Sequence, residues 1–360
     1  MDAWLEYSKL PNLAKKNCSR RAFAFTHLKT TNRSQSMPES KFKSRIQLPW
    51  NSLGLVAVLI VLIIFFGLMS EYFFSAVTFR TLVNQIPALT VIAVGMTFVL
   101  LIAGIDLSVG SVMALCAAVM GILIIDHQAP IAVALIGALL MGLVCGTANG
   151  FVSAKWRIPS FVVTLGMLEI ARGGAYLVTN SETKYLGDSV GFIGSPIAGL
   201  GVSAALIAAI LVVVIAQWVL SKTLFGRYMI AIGTNEEAVR LSGVNPLFWK
   251  VLVFALAGLL AGLGGVFQLG YLQSADPNSG IGLELAAIAA VVIGGTSLSG
   301  GRGSVVNSFL GVLIIAVMQT GLAQLGVSEP SKRIITGMVI IAAVLFDQFR
   351  EPLGRFFQRK

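Results

Sequence analysis

A short polar segment, GTNEEAVRLSGV at Gly233–Val244, carries side chains that suit binding of a partner protein through charge and hydrogen bonds. Thr234 and Glu237 have the spacing of a capping box, in which two side chains satisfy free amides at a helix start. Gly243 suits the left-handed residue that ends a helix. A helix of about two turns is marginal alone in water, so the segment predicts a docking helix held by the rest of the chain. The predicted docking residues are Thr234, Asn235, Glu236, Glu237, Ala238, Arg240, Leu241 and Gly243.

Four charged residues interrupt long apolar runs, where a charge is costly and often marks a functional group. They are Asp106, Glu169, Arg172 and Glu284. Glu169 and Arg172 are three residues apart, so they can pair on one helix face, either within a site or only to orient the helix. Asp106 either faces a pathway or caps the helix that follows it. Glu284 begins an apolar segment and is expected at a water interface.

The chain that holds these groups is 56% hydrophobic and only 12% charged, whereas soluble domains carry about 25% charged residues. It contains many apolar runs of about 20 residues, each long enough to cross a bilayer as a helix. We therefore expect an all-α polytopic membrane protein with about ten transmembrane helices. The expected spans are residues 52–70, 82–103, 109–125, 131–153, 160–179, 203–221, 250–271, 284–298, 304–325 and 333–347.

Basic residues predict the orientation of these spans. Ten of the 26 Lys and Arg precede residue 50. If that end of the chain lies in the cytoplasm, 21 of the 26 basic residues lie on the cytoplasmic side, four lie outside, and Arg172 lies within a span. Cytoplasmic loops show this bias, so both termini are expected inside, and the net charge of +10 does not indicate nucleic-acid binding. The expected parts are a disordered basic cytoplasmic tail (1–48), a transmembrane domain (49–348) and a cytoplasmic C-terminal tail (349–360).

Small residues recur four apart on two of the expected spans, which lets helix backbones approach closely. They are Gly142, Gly146 and Gly150 on one span, and Gly258 and Gly262 on another. We expect both faces to pack on protein rather than lipid.

Two further segments, Gly104–Ser111 and Gly295–Ser304, break helices with Gly and Ser. Either they mark a parallel internal repeat, in which spans one to four correspond to spans seven to ten, or they are unrelated turns.

The sequence offers no enzyme chemistry. It has no G-x-x-x-x-G-K-[ST] loop and no H-E-x-x-H. LSGG at Leu298–Gly301 matches the signature of ABC ATPases, but without a nucleotide loop it predicts only a tight cytoplasmic turn. Isolated cysteines and histidines, at Cys18, Cys116, Cys145, His27 and His127, lack metal or disulfide spacing. No catalytic residue, metal or cofactor is expected.

Four long motifs, in order, resemble the membrane permease of ribose-type ABC sugar importers. They are VGMTFVLLIAGIDLSVGSVMAL (Val94–Leu115), NGFVSAKWRIPSFVVTLGMLEIARG (Asn149–Gly173), FGRYMIAIGTNEEAVRLSGV (Phe225–Val244) and ELAAIAAVVIGGTSLSGGRGS (Glu284–Ser304). A weaker fifth motif is IITGMVIIAAVLFD, and the similarity covers roughly residues 50–350. The chain departs from the family pattern at Ala286, Asn307-Ser308 and Gln319-Thr320, which leaves the sugar open.

The resemblance implies a permease of the bacterial inner membrane that pairs with a second copy or a paralogue. It implies that a cytoplasmic ABC ATPase docks on Thr234–Gly243 and that a periplasmic binding protein delivers ribose or a related simple sugar. A neutral sugar needs hydroxyl and amide groups along its path more than fixed charges. The expected path residues are Asn84, Gln85, Asp106, Ser108, Asn149, Thr164, Glu169, Arg172, Glu284, Thr296 and Ser297. The alternatives are an ion-coupled secondary transporter of a small polar solute and a scaffold that binds a partner without transport.

Overall fold

The computed structural model describes residues 50–197 and 199–357, which form twelve α-helices and a two-residue β-ladder. In chain order the elements are α1 (Trp50–Met69), α2 (Ala76–Leu101), α3 (Val109–Ile125), α4 (Ile131–Trp156), α5 (Ser160–Thr179), β1 (Lys184–Tyr185), α6 (Asp188–Gly194), α7 (Ala204–Lys222), α8 (Leu224–Leu241), α9 (Pro246–Leu272), β2 (Ser274–Ala275), α10 (Leu283–Ile293), α11 (Val305–Gln324) and α12 (Glu329–Phe357). The tail expected over residues 1–48 lies outside the described residues.

Ten of these helices overlap the ten spans expected from hydropathy. Seven are long and apolar enough to cross a membrane, and α3 and α10 are shorter apolar helices of 17 and 11 residues. Helix α10 ends at Ile293 rather than near residue 298, because Gly294 and Gly295 follow it and Gly295 is left-handed, with φ +82°. A polytopic, helical membrane protein is thereby confirmed, while ten crossings and cytoplasmic termini stay predictions.

Helices α2 and α9 form the centre of the bundle. The apolar window of α2 is 83% buried and that of α9 is 61% buried, against 6% for α1. Helix α1 therefore borders lipid, since its side chains are apolar and exposed. It is attached to α11 by the ring of Phe66, which fills the space beside Gly321, and by a bond of 2.8 Å from Ser52 Oγ to Asn307 Oδ1.

The seam between α4 and α9 has no side chains at its closest points. A Cβ on Gly142 would lie 2.3 Å from the carbonyl oxygen of Gly258, and one on Gly146 would lie 2.2 Å from that of Phe254. Gly262 also meets the backbone of α4. Such close contact requires glycine, so the expected packing of these small residues on protein is confirmed.

Two of the non-helical segments between the helices lie close to each other. The first strap (residues 102–108) joins α2 to α3, and the second strap (residues 276–282) joins β2 to α10. They approach each other where α3 begins, because a Cβ on Gly110 would lie 2.4 Å from the carbonyl oxygen of Gly280. Non-helical backbone inside a membrane protein is tolerated only where protein or water satisfies its polar groups. The side chains that bond the straps are therefore structural and functional candidates.

Candidate functional site

The docking helix begins one residue later than expected. Asn235 interrupts α8 with an extended conformation, φ −161° and ψ 94°. Its Oδ1 accepts a hydrogen bond of 3.0 Å from the amide of Ala238, which makes Asn235 the N-cap of the short helix that follows. The expected capping box of Thr234 and Glu237 is therefore wrong. Thr234 Oγ1 donates to the carbonyl of Ile230 at 2.7 Å and belongs to the preceding helix.

The docking helix ends as expected at a left-handed glycine. Gly243 has φ +86°, and its amide donates to the carbonyl of Arg240 at 3.1 Å. The amide of Val244 donates to the carbonyl of Val239 at 3.4 Å, which completes a Schellman-type end. Val239 is buried, whereas residues 234–238 and 240–243 are exposed. One apolar residue therefore anchors a helix whose other side chains remain available.

The exposed surface of the docking helix combines charge with one large apolar group. Arg240 Nη2 lies 2.6 Å from Glu237 Oε1, and Glu236 pairs with Lys250 of α9. Exposed pairs contribute about 0–1 kcal/mol, so these charges can exchange partners at little cost. Leu241 is 79% exposed. An apolar side chain within a polar rim is the composition of a protein interface.

Backbone contacts seat the docking helix on the bundle. A Cβ on Gly233, just before the bend, would lie 1.8 Å from the carbonyl oxygen of Leu101 at the end of α2. The amide of Gly301 donates to the same oxygen at 2.9 Å. A Cβ on Gly301 would lie 2.5 Å from Thr234 Oγ1. The LSGG turn (Leu298–Gly301) is therefore tight, as expected, and it contacts α2 and the part of α8 that directly precedes the docking helix.

Hydroxyl groups at the start of α5 hold the first strap. The amide of Ile105 donates to Ser160 Oγ at 2.9 Å, and that of Leu107 donates to Thr164 Oγ1 at 3.1 Å. Thr164 Oγ1 lies 3.3 Å from the carbonyl oxygen of Ile105, to which it donates. Thr164 is fully buried. This expected path residue binds strap backbone instead of facing open space.

Asp106 lies inside the first strap and is 1% exposed. Its Oδ1 accepts hydrogen bonds from Ser108, at 2.9 Å from the amide and 2.6 Å from Oγ. Asn149 Nδ2 donates to the same Ser108 Oγ at 2.9 Å. Asn149 Oδ1 is buried and has no hydrogen-bond partner within the described residues. Asp106 therefore bonds the residue before α3 rather than an amide of that helix, whose N-cap, Ser108, makes no side-chain capping bond. Asp106, Ser108 and Asn149 form one buried cluster.

The expected ion pair between Glu169 and Arg172 does not form. Arg172 Nη1 donates instead to the backbone carbonyls of Pro277 and Ser279, the latter at 2.9 Å. Glu169 is exposed. The carbonyls of the second strap lack helical partners, and a guanidinium supplies several donors at once. Helix α5 therefore bonds the first strap at its start and the second strap further along.

Two of the expected path residues lie near the start of α2, away from the straps. Asn84 Oδ1 accepts from the amide of Ser203 at 2.8 Å, and its Nδ2 donates to the carbonyl of Arg80 at 2.9 Å. Both ends of this amide are occupied, so Asn84 joins α2 to the start of α7. Gln85 is exposed.

The other expected path residues flank α10. Glu284 is half-buried in the first turn of α10, and its Oε1 accepts a hydrogen bond of 3.1 Å from the amide of Gly282. Thr296 is fully buried, and its Oγ1 lies 3.4 Å from Ser308 Oγ. Ser308 Oγ also accepts a hydrogen bond of 2.8 Å from Thr97 Oγ1. Ser297 is 8% exposed. The expected path residues thus fall into separate groups in this conformation, of which one, Asp106, Ser108, Asn149 and Thr164, meets at the first strap.

Several residues that hold these segments were missed from sequence. Asn235 could have been recognised as the cap, because Asn ranks above Thr at that position. Ser160 begins a helix, which is a signal for bonding to nearby backbone. Tyr176, whose Oη bonds to Asn278 Oδ1 at 2.6 Å, gave no sequence signal.

The sequence is similar to those of known membrane permeases. The family model described as the branched-chain amino acid transport system / permease component matches residues 78–344. The ribose import permease protein RbsC of Escherichia coli is 40% identical over 301 residues, 81% of this chain and 92% of the relative. RbsC of Bacillus subtilis is 39% identical over 299 residues (82% and 92%), and the fructose import permease protein FrcC of Rhizobium meliloti is 34% identical over 308 residues (82% and 84%). The chain therefore belongs to this permease family, among the membrane permeases of ribose-type ABC importers.

Proposed function

We propose that the chain carries ribose or a related simple sugar through a bacterial inner membrane, as the permease subunit of an ATP-driven importer. The sugar class is supported by relatives named as ribose and fructose import permeases. ATP is hydrolysed on a separate cytoplasmic ABC ATPase, a periplasmic binding protein delivers the sugar, and the permease pairs with a second copy or a paralogue. The observation that carries the proposal is the exposed docking helix, which directly follows the close backbone contact of Gly233 with α2.

The proposed topology has ten crossings with both termini in the cytoplasm. Its support is the distribution of basic residues, 21 of 26 of which then lie inside. Arg240 and Lys250 lie beside the docking helix and belong to that cytoplasmic set. A cytoplasmic ATPase can then reach the docking helix.

The contacts suggest how the motion of an ATPase reaches the sugar path. ATP can shift the equilibrium between inward- and outward-facing states only by favouring one of them. Gly233, two residues before the cap of the docking helix, contacts Leu101, and the first strap follows Leu101. Ser160 and Thr164 bond that strap to α5. Helix α5 bonds the second strap through Arg172. We infer that displacement of the docking helix moves both straps relative to α5.

The path residues are part of the same proposal. Those at least partly exposed in this conformation are Gln85, Glu169, Arg172 and Glu284. Asp106, Ser108, Asn149 and Thr164 are buried, so a sugar can meet them only after the first strap moves. The neutral amides and hydroxyls in this set suit a neutral sugar, which offers and accepts hydrogen bonds.

Replacing Gly243 by Val tests the docking assignment. A β-branched residue is strongly disfavoured at φ +86°, and no atom lies within 4 Å of a Cβ there, so the change strains the helix end without a clash. In vesicles that contain the ATPase and the binding protein, we expect loss of uptake and of sugar-stimulated ATP hydrolysis, with normal membrane insertion. Gly187→Val is the matched control, because it has φ +57° and equal space far from the docking helix. Normal transport by Gly243→Val would contradict the assignment.

The same vesicles separate the alternatives. Uptake that continues without ATP and stops when the proton gradient is removed would identify an ion-coupled transporter. Binding of a partner to the docking helix without sugar flux would identify a scaffold.

A further inference from the structure

A polar cavity of about 280 Å³ lies at the end of the bundle opposite the docking helix. Its polar lining residues are Arg80, Thr81, Asn84, Ser195 and Tyr271. Helix α2 runs from Arg80 at this cavity to Leu101 beneath the docking helix. The cavity is therefore separate from the docking surface and from the first strap.

Arg80 gives the cavity one fixed positive charge. No acidic residue lines the cavity, and Arg80 forms no ion pair with the part of the chain that the structure describes. Both polar atoms of the Asn84 side chain already form hydrogen bonds with backbone groups, which holds this side chain in place on one side of the cavity. Thr81, Ser195 and Tyr271 supply hydroxyl donors. One guanidinium with several hydroxyls and no carboxylate is suited to a phosphate group.

The surroundings of the cavity are those of a lipid interface. The hairpin between α1 and α2 exposes Tyr72 and Phe74, the first turn of α2 exposes Phe79, and the segment after α6 exposes Leu200. Tyr and Trp side chains of membrane proteins are enriched at the level of the lipid headgroups, which suits Tyr72. Helix α1, which precedes this hairpin, is apolar, and its span window is only 6% buried. Arg80 lies one turn into α2, where a long basic side chain can reach headgroup phosphates.

We propose that this cavity binds an anionic phospholipid, with its phosphate on Arg80 and the neighbouring hydroxyls. The acyl chains follow the exposed apolar side chains of the α1–α2 hairpin. A headgroup with one net negative charge balances the single guanidinium, whereas a zwitterionic headgroup also brings an ammonium group close to it. The site therefore selects lipids of the phosphatidylglycerol type over phosphatidylcholine.

Native mass spectrometry of the full chain in detergent tests the proposal, with phosphatidylglycerol or phosphatidylcholine added at equal concentrations. We expect Arg80→Gln to lower the affinity for phosphatidylglycerol by about fivefold or more, and Arg80→Lys to keep most of it. Lys184→Gln is the matched control. Lys184 lies at the same end of the bundle but pairs with Glu182 at 3.2 Å, so its loss should leave lipid binding unchanged.

Three results would overturn the proposal. One is equal retention of phosphatidylglycerol by the wild type and Arg80→Gln, or equal retention of both lipids by the wild type. Another is displacement of the lipid by inorganic phosphate alone, which would assign the cavity to a free anion. The third is weaker binding of the periplasmic protein by Arg80→Gln with unchanged lipid binding, which would assign Arg80 to protein docking.

Discussion

Asn235 determines where the docking helix begins. Replacing it with Ala removes the bond to the amide of Ala238, and loss of an Asn N-cap costs about 0.5–2 kcal/mol. We expect faster hydrogen exchange of the amides at residues 236–241 and weaker coupling to ATP hydrolysis. Asn235→Asp should restore both, and Thr234→Ala should leave the hydrogen exchange unchanged, because Thr234 bonds to the preceding helix. Unchanged exchange in Asn235→Ala would mean that another group starts the helix.

Arg172 stabilises the second strap through two backbone carbonyls. Arg172→Gln shortens the side chain and removes the charge, and hydrogen bonds from a charged group contribute about 1.5–3 kcal/mol. We expect faster hydrogen exchange at residues 276–282 and reduced uptake. Glu169→Gln should not change the exchange, because Glu169 is exposed and does not pair with Arg172. If both variants had the same effect, an ion pair between them would be the better explanation.

At the scale of elements, the seam between α4 and α9 controls how closely two central helices pack. Gly146→Ala places a Cβ 2.2 Å from the carbonyl oxygen of Phe254, and overpacking of this kind costs about 1–3 kcal/mol. We expect a lower melting temperature and less folded protein in detergent, measured by thermal size-exclusion chromatography. Gly166→Ala on α5 is the control, because a Cβ there has open space. A melting temperature as high as that of the control would show that the seam can separate freely.

The elements also differ in how far sequence predicts them. Apolar runs located the long helices because a bilayer requires about 20 apolar residues in each span. The small-residue faces correctly predicted close packing but not which helices meet. The helix break at the first strap was predicted from Gly104–Ser111. The contacts of the straps could not be derived, because their backbone is satisfied by side chains distant in sequence, such as Arg172 with Ser279. The short helix α6 also went unpredicted, since seven residues show no clear period.

The same distinction applies to the candidate site. The docking helix was predicted because capping and termination are local, although the cap itself was assigned one residue early. The path residues were chosen for polarity within apolar runs, which does not distinguish a lining group from a buried structural one. Thr164 and Asn84 illustrate this, since each bonds backbone of another segment.

At the scale of the whole molecule, the proposed topology assigns Lys184 and Lys250 to opposite sides of the membrane. Cysteine in place of Lys184 should react with an impermeant maleimide in intact cells. Cysteine in place of Lys250 should react only after permeabilisation, because it lies beside the docking helix. The background for both variants replaces Cys18; Cys116 and Cys145 are buried. Labelling of both positions from outside would require a different number of crossings.

The isolation of the docking helix has an evolutionary consequence. One extended residue and one left-handed glycine separate its seven side chains, residues 236–242, from the helices on either side. Only Val239 among them is buried. Under the proposed function, recombination between duplicated genes can therefore exchange residues 236–242 as a unit. A permease would then bind a different ATPase while the sugar that it transports stays the same.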